Sequence, residues 1–339
     1  MATCAGVLMM TCSDVDASPV AKCGRCRPKI SGALWWYDPT ESAGWGIDGW
    51  RDELDRQSRI GFDLLWLCNT QGAVATDEGV ALLRGLLDMC AKRKVRVVLD
   101  AGSTGSWYSP LDLKKDLEVC GSHIGKLGKL FAGHPAFFAW YVNQEIYMSW
   151  GAQADYIDGL YPGLVERCKK AADLPVTISP FFILDRDKVF GDFRYNEPAE
   201  YERFWARLIA RSGFDIVMLQ DSGEHFSYAT NEMRRPFFEA MRGACKSAGA
   251  RFWGNVETAE YVCPSKEEFV RLYGKIHHAE AKGLPWRAVP IDRLKGKLEL
   301  AAEFGEEIVT WGYREFCRPA LGEAAQKWYS DYRDYVRRL

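Results

Sequence analysis

Histidine is scarce in this chain, five among 339 residues, and only His225 falls where a predicted strand ends. Metal-dependent barrel hydrolases draw several His and carboxylates onto the ion, often through an H-x-H pair on the first strand. No metal and no cofactor are therefore expected, and His277 and His278 lie within a predicted helix. Charge of one sign is also lacking. Lys and Arg number 44 against 46 Asp and Glu, a net charge of −2. A nucleic-acid binder would concentrate basic residues on one face, so that partner is excluded. Nor does any apolar run approach the roughly 20 residues needed to span a bilayer.

The 11 cysteines are odd in number and scattered, and most sit inside apolar patterns. They read as buried thiols rather than a disulfide framework. Cys23 and Cys26 form the one close pair, without the second pair a structural zinc requires or the surroundings of a redox motif. Residues 1–29 have no strong period and read as an N-terminal arm, disordered or a vestigial export signal. Ala5–Met10 is too brief, and too poor in preceding Lys or Arg, for a secretory core. A cytoplasmic setting is favoured over export on these grounds.

From residue 30 to 339 the chain alternates short apolar runs with longer stretches of helical period. Strands are predicted at Gly32–Tyr37, Asp63–Cys68, Arg96–Asp100, Phe137–Val142, Pro175–Phe181, Ile216–Gln220, Phe252–Val256 and Glu307–Trp311. The runs are almost continuously apolar, as in Leu64-Leu65-Trp66-Leu67, which is how strands covered on both faces read. Eight such strands with intervening helices predict one α/β domain, a (β/α)8 TIM barrel. A doubly wound sheet would place a Gly-rich turn after the first strand, where Trp36-Tyr37-Asp38-Pro39 stands instead.

Barrel chemistry sits on the loops after the strands. The predicted strand ends offer Trp36, Asp38, Asn69, Asp100, Trp107, Asn143, Gln144, Glu145, Tyr147, Gln220, Asp221, His225, Trp253, Asn255, Glu257 and Trp311. That set is acidic, amide-bearing and aromatic. No strand ends in a Schiff-base Lys, and a carboxylate after strand seven would repel a phosphate. Two carboxyl groups across an apolar mouth suit glycoside hydrolysis, in which one donates a proton and the other attacks or stabilises the anomeric centre. Glu145 and Glu257 are the expected pair, with burial among Tyr141, Tyr147 and Trp150 raising the acid's pKa. Asp221, Glu224 and Glu260 compete for these roles. The amides and aromatics are expected to hold sugar hydroxyls and ring faces, while Asp38 and Asp100 could equally well anchor loops. A barrel that binds carbohydrate without cleaving it, and a lyase or isomerase using His225, are the alternatives.

Trp140-Tyr141-Val142-Asn143-Gln144-Glu145 and Phe252-Trp253-Gly254-Asn255-Val256-Glu257 resemble the fourth and seventh strands of the clan-A retaining glycoside hydrolases. Trp311 resembles the tryptophan flooring their sugar site. Over residues 30–335 the chain is similar, more closely, to a bacterial family of uncharacterised glycosidase-like barrels. The resemblance implies Glu145 as acid/base, Glu257 as nucleophile and retention of configuration, with carboxyl groups about 5 Å apart rather than the roughly 6.5–9.5 Å of inversion. One departure stands out: the clan sets Asn directly before the acid/base Glu, and here Gln144 intervenes. Either Gln144 takes that Asn's place or the strand end is bulged.

Overall fold

The computed structural model of the chain describes residues 26–106, 109–188, 194–221, 227–263, 265–274 and 285–339. The apolar runs become strands β1 (Gly32–Trp36), β2 (Leu64–Cys68), β3 (Arg96–Asp100), β4 (Phe137–Val142), β5 (Val176–Ile178), β6 (Ile216–Gln220) and β7 (Arg251–Asn255). A short antiparallel hairpin follows, β8 (Ala259–Tyr261) with β9 (Trp286–Ala288), and then β10 (Ile308–Thr310). All but the hairpin pair in parallel into a closed eight-stranded barrel, in the order β1-β10-β7-β6-β5-β4-β3-β2. This is the predicted (β/α)8 fold. The hairpin was not predicted, because three-residue strands carry too little alternation to register.

The covering helices are α1 (Gly46–Arg59), α2 (Thr70–Ala73), α3 (Asp77–Lys92), α4 (Leu113–Phe131), α5 (Ala152–Ala171), α6 (Pro198–Ser212), α7 (Asn231–Ala248), α8 (Lys266–Tyr273), α9 (Ile291–Phe304) and α10 (Glu323–Val336). Polar side chains start several of them by accepting an otherwise unpaired N–H. Thr76 caps α3 through Gly79 N at 3.1 Å, and Asp112 caps α4 through Lys115 N at 3.0 Å. Helix α10 also holds the chain before β1, since Ile30 N donates to Tyr332 Oη and Tyr335 Oη donates to Pro28 O.

Period-two alternation divides each strand between two cores. Leu34, Trp66, Cys68, Ala139, Tyr141, Met218, Trp253 and Val309 fill the barrel interior. Their neighbours Trp35, Leu65, Leu67, Trp140, Val217 and Leu219 face the helices. The base is shut by Phe138 stacked on Trp253 at 6.1 Å, with the Arg96 guanidinium 5.1 Å above Phe138. Arg96 bridges Glu307 and Asp63, so it closes that end with charge as well. One glycine is obligatory for closure. A Cβ on Gly32 would stand 2.0 Å from Leu64 O, inside the β1–β2 ladder.

Of the cysteines, Cys68, Cys90, Cys120, Cys168, Cys245, Cys263 and Cys317 are buried thiols. Burial pushes Cys90 and Cys120 up to about 12, which leaves them inert packing groups. Cys23 and most of the N-terminal arm lie outside the described residues.

Candidate active site

With the base plugged, the barrel opens only toward the C-terminal ends of its strands, where a cleft of about 490 Å³ is lined by groups from nearly every strand. Its floor and walls are Leu34, Trp36, Trp66, Cys68, Tyr141 and Trp311. Its polar lining is Asn69, Ser103, Thr104, Asn143, Glu145, Gln220, Asn255 and Glu257. Both expected carboxylates therefore reach one cavity, as do Trp36, Asn69, Asn143, Gln220, Asn255 and Trp311.

Glu145 is gripped from both oxygens. Tyr141 on β4, four residues earlier, donates to Oε1, and Gln220 Nε2 donates to Oε2 at 2.7 Å. The second Gln220 N–H is taken by Ser179 O at 2.8 Å, so the amide cannot rotate without losing a buried bond. Burial, reinforced by the Glu145 charge, drives the Tyr141 phenol well above its ordinary pKa, so it remains a donor. Burial first, then the charges of Asp100 and Glu145, does the same to the Cys68 thiol. Asn255 Nδ2 donates to Ser179 Oγ at 3.0 Å, while Asn143 Nδ2 has only a long contact, 3.6 Å, to Cys68 Sγ. The amide oxygens of Asn143 and Asn255 have no partner among the described residues, although both are buried. Both residues line the cleft, and each leaves one buried acceptor unused by the surrounding protein.

The strand-four departure resolves by alternation. Asn143 and Glu145 face the cleft, while Gln144 points outward, donating to Gly102 O at 3.0 Å and Cys120 Sγ at 3.6 Å. Gln144 is therefore a brace behind the strand rather than a lining residue. Five other expected residues stand outside this lining. Asp38 caps its own turn, accepting from Thr40 N at 3.0 Å. Asp100 is fully buried and accepts from Thr70, tying β3 to the β2 tip. Tyr147 packs on Trp150 and Phe181, away from the cleft. Trp253 belongs to the plug at the barrel base. Asp221 turns toward α9, where Lys297 Nζ lies 3.1 Å from Oδ2. Among the competitors, Glu260 sits on β8 bound to Arg287 at 2.7 Å and Arg293 at 3.2 Å. Trp107, Glu224 and His225 lie outside the described residues.

Some lining groups were not foreseen. Trp66 stands mid-strand in an apolar run, yet its ring meets Tyr141 edge-on at 4.7 Å and forms part of the cleft. Ser103, Thr104 and Gly105 come from the β3–α4 loop, which Asp116 steadies by accepting from Thr104 and from Tyr156 Oη at 2.7 Å. Trp286 of the hairpin backs Trp311 at 5.8 Å.

A family profile described as a domain of unknown function, DUF4434, matches residues 30–322. The chain belongs to the DUF4434 family. No curated protein matches it. Among solved structures, this DUF4434 barrel is similar to a Bacteroides thetaiotaomicron protein provisionally named an alpha-L-fucosidase, at 18% identity and a TM-score of 0.71, covering 97% of this chain and 99% of that one. It is also similar to the endo-beta-1,4-mannanase of Thermotoga petrophila, at 10% identity and a TM-score of 0.53, over 91% of this chain and 77% of the other. A GH99 endo-alpha-mannosidase from Bacteroides thetaiotaomicron aligns at 11% identity and a TM-score of 0.50, over 92% and 99%. At such identities the shared property is the barrel.

Proposed function

We propose that the chain is a glycoside hydrolase that cleaves an oligo- or polysaccharide with retention. The observation that carries this reading is the convergence of Glu145 and Glu257, from the fourth and seventh strands, on one cleft walled by Trp36, Trp66 and Trp311. Aromatic faces offer flat apolar platforms for the C–H faces of sugar rings. The amide side chains of Asn69, Asn143 and Asn255 in the cleft lining suit the hydroxyls of a sugar. The structural neighbours named as a fucosidase, a mannanase and an endo-mannosidase are consistent with a carbohydrate substrate.

In this mechanism Glu257 attacks the anomeric carbon while Glu145 gives its proton to the departing glycosidic oxygen. The glycosyl-enzyme is then opened by water, whose proton passes to Glu145. Tyr141 and Gln220 keep the Glu145 carboxyl in one orientation through both half-reactions. The test is a screen of chromogenic glycosides and polysaccharides, followed by Glu257→Gln and Glu145→Gln. Each substitution should lower turnover by about a thousandfold or more while sugar binding, measured calorimetrically, persists. Anomeric NMR of the first-formed product should report retention. A Glu257→Gln variant with undiminished turnover would overturn the assignment, and sugar binding without any hydrolysis by the unmodified chain would favour a carbohydrate-binding barrel.

A further inference from the structure

Behind the cleft wall lies a buried cluster of charge that the reaction above does not use. Lys297, on α9, is 1% exposed on its side chain, as is Asp221 at the tip of β6, and the two lie 3.1 Å apart. The same ammonium donates to Glu257 O at 2.6 Å, and Glu257 N donates to Asp221 Oδ1 at 3.4 Å. The ion pair thus holds the main chain of Glu257 from both sides, and α9 is tied to the tip of β7. Arg234 of α7 enters alongside, donating to Asp221 O and Ala229 O at 2.8 Å each. Arg293 of α9 and Arg287 of β9 flank the cluster and meet Glu260 of β8.

We propose that Lys297 is a positioning residue for Glu257: it fixes the tip of β7 by its main chain and supplies the positive charge that keeps the Glu257 carboxylate ionised for attack. The inference rests on the reading of Glu257 as nucleophile. Its ground is charge balance in a dry region. Lys297, Arg234 and Arg293 are set against Asp221, Glu260 and Glu257, with Arg287 half outside. Protonating Glu257 would take away one of the negative charges set against Lys297, a loss that low-dielectric surroundings make costly. Burial, helped by the neighbouring Arg234 charge, lowers the Lys297 pKa on balance, while Asp221 and then Glu257 oppose that fall. Because such coupling is reciprocal, Lys297 must in turn favour the Glu257 anion.

Two substitutions separate charge from scaffolding. Lys297→Gln keeps a hydrogen-bond donor but no charge, and Lys297→Arg keeps the charge. The acid limb of the kcat/KM–pH profile should move upward by about one to two pH units in Lys297→Gln. It should return toward the wild-type position in Lys297→Arg. A merely structural lysine would instead lower activity at every pH and leave the limb in place, which would overturn the proposal. The Glu257 carboxyl is also titrated directly, by 13C NMR of glutamate-labelled protein with the resonance assigned through Glu257→Gln. This readout needs no substrate and no change at Lys297. A Glu257 that takes up its proton above pH 7 in the unmodified chain refutes the inference. A Glu257 ionised under Lys297 control in a chain that hydrolyses no glycoside would sink the hydrolase reading and leave the positioning role intact.

Discussion

Replacing Asp100 by Asn distinguishes a residue that binds substrate from one that holds the barrel together. Asp100 is fully buried, and its Oδ1 accepts from Thr70 N at 3.1 Å and from Thr70 Oγ1, with His123 Nε2 3.8 Å away. Its Oδ2 has no hydrogen-bond partner among the described residues. The amide would retain an acceptor for Thr70 but lose the charge assistance and the attraction to His123. Hydrogen bonds to a charged group contribute about 1.5–3 kcal/mol against about 1 for a neutral pair. Two bonds weakened in this way, less the relief of a buried charge, give a net destabilisation of about 2 kcal/mol. For a chain of this length each kcal/mol moves the thermal midpoint by about 1.4 °C, so calorimetry should find a drop of about 3 °C. The pH dependence follows from the sign of the shift. Burial alone would raise the Asp100 pKa, but His123 and Thr70 outweigh it and hold the carboxyl below its ordinary value. Its contribution to stability is then whole above the unfolded pKa of about 3.9 and fades only as pH falls through the lower native value. The difference between the two proteins should accordingly be constant from pH 5 to 8. An unchanged midpoint combined with a tenfold or greater loss of sugar affinity would refute this reasoning and return Asp100 to the substrate.

Gly32→Ala should cost at least about 3 kcal/mol, because its Cβ would fall 2.0 Å from Leu64 O in the rigid β1–β2 ladder. Soluble yield and thermal midpoint report it, and a stable variant would mean the register is wrong. Trp311→Ala should raise KM about tenfold with little change in kcat, the loss of one aromatic platform of about 1–1.5 kcal/mol. An effect confined to kcat would argue against a platform. Glu260→Gln removes the counter-ion of Arg287 and Arg293 and should destabilise by about 2 kcal/mol, less than a fully buried pair because Arg287 is half exposed. Limited proteolysis should then cut near β8 and β9 before the barrel, and uniform resistance would contradict the role given to Glu260.

The barrel was legible because strands covered on both faces are apolar throughout, and eight such runs alternating with helices admit few topologies. The same property hides facing. Trp35 and Trp36 are equally apolar neighbours, yet Trp35 packs at 5.4 Å on Trp45 and 5.3 Å on Trp50 under the helices while Trp36 lines the cleft. Nearness to a strand end therefore selected Trp253 along with Trp36 and Trp311, and it passed over Trp66. Parity separates them better than hydropathy does. Counting back in twos from Glu145 gives Asn143 and Tyr141, both in the cleft; counting back from Glu257 gives Asn255 and then Trp253, one layer too deep. The pairings of Asp100 and Asp221 were hidden for a different reason. A buried carboxylate reveals itself only by its partner, and Thr70, His123 and Lys297 lie 30, 23 and 76 residues away in the chain. Sequence proximity carries no trace of such pairs.

The strand that shuts the barrel is also the last to be made. β10 contributes only Ile308–Thr310, yet it joins β1 to β7, and its partner Gly32 precedes Val309 by most of the polypeptide. Until those residues leave the ribosome, the growing sheet presents two raw edges, β1 and β7, to whatever strand is near. The closing contact also bears the largest loop-closure penalty of any strand pairing in the barrel, so it should be formed late in folding. Nascent chains stalled before residue 308 should therefore depend on chaperones and self-associate when released. A few residues further on, the same sequence would seal itself.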